Sequence, residues 1–482
     1  MMTTAGIRDP ADHSRGKEED IMDSVSSMHP LCPKCELPMF SEDENSYFCA
    51  SCEEVYSYVK NGDRLEKVRK KSTVDRRMKA IIVSSILIFL LIIGSMGAIL
   101  VLRSGNEGMI DITDVADIRH LDVEKEVPIQ YMRYTDYDDY ISEKMTGEFR
   151  QELRELEIFY KSLLVIDRDW DIVSMAENET PQGILGFYDT EDEVIYFMEG
   201  DCSTEYRNYV LAHEYTHALQ DQNFDLDRYL DTGNYDVDYA RSCVIEGDAV
   251  TTMDIWASEN LDLYERMKVG RDMILQSVYS SQFSDWQYEN AVLSGMYSFP
   301  YDGGSEFVKR VLEIGGWEGV NELYTERPPL SSEQILHFDK YFEYEAPVEI
   351  NLEFGMYDDD LIFSSSVGEK LIRELLPSIA SDVRDIEEDR ADIGWGGDEF
   401  HYFENGTDHL SLFVSEWDSE ELNDLFATLF EGKIDSLSDP MGNRTYYLRG
   451  SIYSIRTCGK RTYVLESNDE EWLDDAAFRF VR

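Results

Sequence analysis

The feature that most narrows what this chain can fold into is the pentapeptide His213-Glu214-Tyr215-Thr216-His217. Two imidazoles four residues apart face the same way on an α-helix. They can then share one Zn²⁺, while Glu214, one step round, can reach a water at the open coordination position. Ser203 or Thr204 can cap such a helix, and Glu205 suits its first turn. Tyr206, Val210, His213, His217, Gln220 and Phe224 recur at helical spacing, so the histidines are expected on the inward face.

Two histidines hold zinc weakly, and catalytic sites take three protein ligands as a rule. The chain has eight histidines. His120, His337, His401 and His409 are alternatives to consider, and Ala-Leu-Gln-Asp-Gln after His217 leaves no third histidine at metzincin spacing. Glu246 is the stronger candidate. It follows His217 by 29 residues, enough for a loop and an antiparallel return, and lies on a stripe with Val250, Met253 and Ala257. A charge on an apolar stripe needs a partner; zinc is one and a salt bridge to an arginine is the other. Gly247 costs about 1 kcal/mol of helix propensity, which makes sense where another backbone comes close.

The rest of the chain sets a context for these residues. A formal net charge of −55 over 482 residues argues against nucleic acid as the main partner and for a solvated acidic coat. Residues 80–102 are uncharged and apolar, about 35 Å as a helix, and basic residues precede them over 61–79. The expectation is one transmembrane helix, with the N-terminus cytoplasmic and everything beyond residue 103 outside the cell. Residues 1–28 read as a disordered tail. Cys32, Cys35, Cys49 and Cys52 over 29–60 form a C-x2-C pair repeated after thirteen residues, which suits a closed structural zinc site with a hairpin between the knuckles.

Beyond the apolar run, residues 103–147 look like an extended acidic linker, and Phe149 to Val165 has helical spacing. Gly183 to Met198 reads as two short strands around an acidic turn, ahead of the motif helix. The chain then reads as mostly helical to about 345. Residues 391–482 suggest a separate α+β domain built as strand, helix, strand, strand. The expected fold class is therefore α+β: a mostly helical domain over 148–390 with a small N-terminal sheet, and a second domain after it. Cys202 and Cys243 could bridge the two metal-bearing helices, or stay as free thiols.

The segments HEYTHALQDQNFDL, GFYDTEDEVIYF, IEGDA, FPYDGGSEFVKRVLEIGGWEGVNELY (299–324), PPLSSEQILHFDKY (328–341) and GWGGDEF (394–400) resemble membrane-associated neutral zinc metallopeptidases of the gluzincin class, known in archaea and bacteria. That resemblance spans most of residues 150–480. It implies a zincin-like fold, zinc on His213, His217 and Glu246, Glu214 as general base, and a peptide or protein substrate. In many gluzincins an Asp four residues past the ligand Glu orients a histidine; here Val250 stands there, leaving Asp248 or Asp221 for that role. His337, at the end of a short helix opened by Ser331 or Ser332, is a candidate donor to an oxyanion or else a helix-cap histidine. The rival reading is a non-enzymatic, membrane-tethered zinc scaffold acting through its cysteine ribbon, and a nucleic-acid-binding regulator is a weaker rival still.

Overall fold

In the computed structural model, residues 109–177, 185–200, 202–281, 290–386, 392–442 and 444–481 are described, together with short strands within 40–67. Contacts divide the chain into a unit over 1–76 and a unit over 77–482. The first holds an antiparallel meander of β1 (Phe40–Ser41), β2 (Ser46–Cys49), β3 (Glu54–Tyr58) and β4 (Leu65–Lys67). The β1–β2 pair, with Phe40 opposite Phe48, is a hairpin lying between the two cysteine pairs. Cys49 ends β2; Cys32, Cys35 and Cys52 lie outside the described residues, as do the tail 1–28 and the apolar run 80–102.

The described part of the second unit begins with helix where an extended linker was expected. Asp111 and Asp114 form a capping box that starts α1 (Ile112–Arg119). The helix pays its way through Val115, Ala116 and Arg119, which are all buried. Next come β5 (Ile129–Met132), α2 (Tyr134–Lys144), α3 (Gly147–Ser162) and α4 (Ile172–Glu177). β6 (Gly186–Asp189) and β7 (Val194–Met198) are the two strands around the acidic turn. β5 joins them parallel to β7, giving a three-stranded sheet in the order β5-β7-β6.

The helices that carry the site follow. Ser203 caps α5 (Thr204–Phe224), its side chain accepting from the Tyr206 amide. After α6 (Leu226–Leu230), Asn234 caps α7 (Tyr235–Asn260) in the same way. α8 (Leu263–Ser281) precedes α9 (Ala291–Glu322), which kinks at Gly316, where φ is 63°. Pro300 inside α9 has no amide to offer Met296, and the Tyr239 hydroxyl donates to that carbonyl instead at 2.7 Å. α7 and α9 cross so closely that a Cβ at Gly247 would overlap the Gly304 backbone, and one at Gly304 the Cys243 carbonyl. Gly247 is thus a close-approach residue.

The chain continues through α10 (Ser332–Leu336), α11 (Phe338–Glu343), β8 (Leu361–Ser365), α12 (Gly368–Leu375) and α13 (Ile379–Ile386). Then come β9 (Trp395–Asn405), β10 (Asp408–Trp417), α14 (Glu420–Asp435), β11 (Asp439–Gly442), β12 (Thr445–Leu448), β13 (Ser451–Cys458), β14 (Arg461–Ser467) and α15 (Glu470–Phe480). These strands form one antiparallel sheet in the order β11-β12-β13-β14-β10-β9-β8. What reads as a single strand stretch over 399–414 is a hairpin, turned by Gly406 at φ +69°.

Two expectations are corrected here. The first is the fold class. Helix and sheet are mixed through a shared core: β8 is an edge strand of the seven-stranded sheet, and one apolar cluster joins Leu153 and Phe159 to Leu371, Phe400, Phe426 and Tyr453. The Phe159 and Phe400 rings meet edge to face at 5.1 Å, so the sheet packs directly on the helical layer. The second is the transmembrane helix and, with it, the single-pass membrane location. No helix among the described residues is long and apolar enough to cross a membrane. The physical reason is charge: the two longest carry Asp238, Arg241, Glu246 and Asp254 in α7, and Asp302, Glu306, Lys309 and Arg310 in α9.

Candidate metal centre

α5 and α7 bring His213, His217 and Glu246 together. One ligand atom from each lies within 4.8 Å of the other two. His213 Nε2 is 3.0 Å from His217 Nε2, and Glu246 Oε2 is 3.2 Å from the first and 3.6 Å from the second. The imidazoles meet edge on, their centroids 4.5 Å apart. α5 is buried nearly all round, by Leu211, Ala212, Tyr215, Ala218 and Leu219 among others. Its two histidine side chains are less completely buried, each 13 % exposed.

The tautomer of His217 follows from its neighbours. The Gln220 amide NH₂ donates to the Ile245 carbonyl and to Asp248 Oδ2, each at 3.0 Å. Gln220 Oε1 must therefore accept from His217 Nδ1–H at 2.9 Å. Nε2 of the neutral ring is left as a lone pair pointing at the other two groups. Asp248 is held in turn by Arg119 Nε at 2.7 Å and the Tyr324 hydroxyl at 2.9 Å. Arg119 also donates to Asn321 and lies over the Trp317 ring at 4.6 Å. Asp248 thus reaches the site through Gln220. Asp221 instead accepts from the Tyr188 hydroxyl at 2.9 Å.

The electrostatics favour a cation. Burial pushes the Glu246 carboxyl up, but the two imidazoles outweigh it and hold it well below the ordinary carboxylate range. Burial lowers the His217 pKa, and the Glu246 carboxylate overrides it, pushing it up to about 9. Both shifts record one field, which rewards positive charge between the three groups. Glu246 Oε2 and His213 Nδ1 are buried without a hydrogen-bond partner. The two Nε2 nitrogens and Glu246 Oε2, itself without a hydrogen bond, converge as a donor set that fits Zn²⁺.

Glu214 is 6 % exposed and accepts from the Tyr188 backbone amide at 3.0 Å. Burial, opposed by the two imidazoles, raises its pKa above the usual value. Strand β6 therefore positions the acid as well as bordering α5. Tyr301, from the FPYDGG segment, lies beside His213 with the rings stacked at 6.2 Å and 21°. Burial, with the Glu246 carboxylate nearby, raises its pKa well above normal. Nothing in the spacing of 30 tyrosines could single it out.

The structure does not bring the remaining candidates to this trio. His337 Nε2 lies 2.9 Å from Glu369 Oε1 and 3.3 Å from Arg373, tying α10 to α12. His120 caps α1 near Trp317, His401 meets Glu399 and Ser364, and His409 meets Glu466. Cys202 and Cys243 are not joined in a disulfide, and the second is buried within α7. Comparison of the chain with protein-family models, with curated proteins and with solved structures returned no match.

Proposed function

We propose that this chain is a zinc-dependent endopeptidase that hydrolyses peptide bonds, of the gluzincin kind its motifs resemble. The observation that carries the reading is the convergence of His213, His217 and Glu246 on one point, with Glu214 on the adjoining turn. A Zn²⁺ held by those three would polarise a scissile carbonyl and lower the pKa of water toward neutrality. The other parts belong to the chain. Glu214, its carboxyl raised by burial and fixed by the Tyr188 amide, accepts a proton from water and returns it to the leaving amine. Tyr301, beside His213 and near Glu246, offers its hydroxyl as the donor to the oxyanion. The pair Gln220 and Asp248 keeps His217 in one tautomer.

Glu214→Gln tests the assignment. Measured by peptide-library hydrolysis and by metal analysis, the variant should keep its zinc and lose cleavage by about 10²–10⁴-fold. Cleavage at near the parent rate would remove Glu214 from the mechanism. Zinc retained by a parent chain that cleaves nothing would leave a metal-binding scaffold.

A further inference from the structure

A cavity of about 380 Å³ opens beside Glu246 and Tyr301. Its lining is partly apolar and aromatic, with Leu156, Phe159, Tyr239, Met296, Tyr297 and Phe363. It also carries the acids Glu152, Glu155, Asp231 and Asp238. Asp238 accepts from Thr232. Among the described residues, Glu152, Glu155 and Asp231 make no ion pair with a lysine or arginine. Burial and the neighbouring Glu148, Glu155 and Asp231 raise the Glu152 pKa, with no cation to oppose them.

An acid-rich surface is the rule in a chain with 99 Asp and Glu residues, so acids alone would mean nothing. Two things set this group apart. The acids belong to a concave, partly apolar lining, where solvent screens charge less than on a convex surface. The lining also contains Glu246, a side chain nine-tenths buried whose Oε2 faces the two imidazoles without a hydrogen bond. The cavity therefore meets the metal trio at Glu246, and is of a size that suits one large side chain with some of its backbone.

We propose that this cavity recognises a cationic apolar peptide segment. A large apolar side chain packs on the aromatic residues of the lining, and a neighbouring lysine or arginine lies against Glu152, Glu155 and Asp231. The proposal rests on the peptidase reading for the position of the scissile bond, yet recognition can be read without cleavage.

The probes are three short labelled peptides: Phe-Lys, Phe-norleucine and Ala-Lys at the two positions, otherwise identical. Binding to the zinc-loaded full chain carrying Glu214→Gln is followed by fluorescence anisotropy. Phe-Lys should bind about tenfold more tightly than either of the others. Its advantage over Phe-norleucine should shrink with added salt and vanish when Glu152→Gln and Asp231→Asn are combined. Equal binding of all three peptides overturns the proposal. A parent chain that binds with this preference but cleaves none of them leaves recognition standing and ends the peptidase reading. A parent chain that cleaves library peptides without either preference does the reverse.

Discussion

On the seven-stranded sheet, His409 Nε2 lies 2.9 Å from Glu466 Oε1, and the carboxylate also takes Arg168 Nη2 at 2.5 Å and the Ser411 hydroxyl at 3.1 Å. On the helical side, Glu246 faces His213 and His217, and its described ion pairs are to imidazoles alone. Both carboxylates are buried and both are held low, Glu466 to about 2 against its burial by His409 and Arg168. The difference lies in what completes them. The sheet's pair brings its own arginine, whereas no lysine or arginine among the described residues pairs with Glu246. His337 follows the sheet's pattern, since Arg373 joins its Glu369 at 2.6 Å. At Glu466 and Glu369 an arginine neutralises the buried carboxylate beside its histidine, and at Glu246 none does.

The largest effects should separate those two regions. Glu246→Gln removes a donor, so zinc content and zinc-dependent stabilisation should both be lost. For a site saturated a thousandfold above its dissociation constant, that stabilisation is about 4 kcal/mol. Glu466→Gln should leave zinc content unchanged and cost roughly 3 kcal/mol, because Arg168 loses its counter-charge. Metal analysis and thermal melts with and without zinc read both. Zinc retained by the first variant, or lost from the second, would break the contrast.

Glu333 sharpens it as the third case, a buried carboxylate with neither an arginine nor an imidazole pair. It is 2 % exposed, its Oε1 has no hydrogen-bond partner, and Lys340 stands 3.5 Å away. Burial, with Glu369 nearby, pushes its pKa up to about 8. The folded state then binds the proton more tightly than the unfolded chain does. Between the ordinary glutamate range and pH 8 the folded form carries more protons, so this group's contribution to stability falls as pH rises and levels off above 8. Glu333→Gln should therefore gain on the parent at pH 9, by on the order of 3 kcal/mol, and gain nothing at pH 4. A gain independent of pH would mean that repacking, not ionisation, explains it.

The features legible in the sequence were those that local geometry determines. The i, i+4 histidines, the Ser203 cap, the strands flanking the acidic turn and Glu246 on its apolar stripe all depend on periodicity within one element. Gly247 was legible because helix propensity makes an interior glycine costly, and the Gly304 backbone accounts for it. Arg119 was not. It sits in a polar, acidic stretch and earns its place through Asp248, which is 129 residues away in the chain. Tyr301 reaches His213 from a segment whose tyrosines look alike in sequence. The edge strand β8 escaped for the same reason: its five residues acquire a role only from the register with Phe400 and Tyr402. Periodicity tells which way a side chain faces, and is silent on which distant element it meets.

The smallest expected effect concerns Gln220, which lies on the histidine face by spacing and acts only through its neighbours. Gln220→Leu keeps much of the volume but removes the acceptor for His217 Nδ1–H. Asp248 retains Arg119 and Tyr324, so the buried carboxylate stays partnered and the fold should persist. What changes is the bias toward the tautomer whose Nε2 lone pair points at Glu246 and His213. Loss of such an orienting partner lowers metal affinity by about 10–100-fold, equivalent to roughly 1.4–2.7 kcal/mol. Competition with a chelator of known affinity would measure it. Unchanged zinc affinity beside a lowered melting temperature would reduce Gln220 to packing, and the helical trio would then hold its geometry without the relay from Arg119.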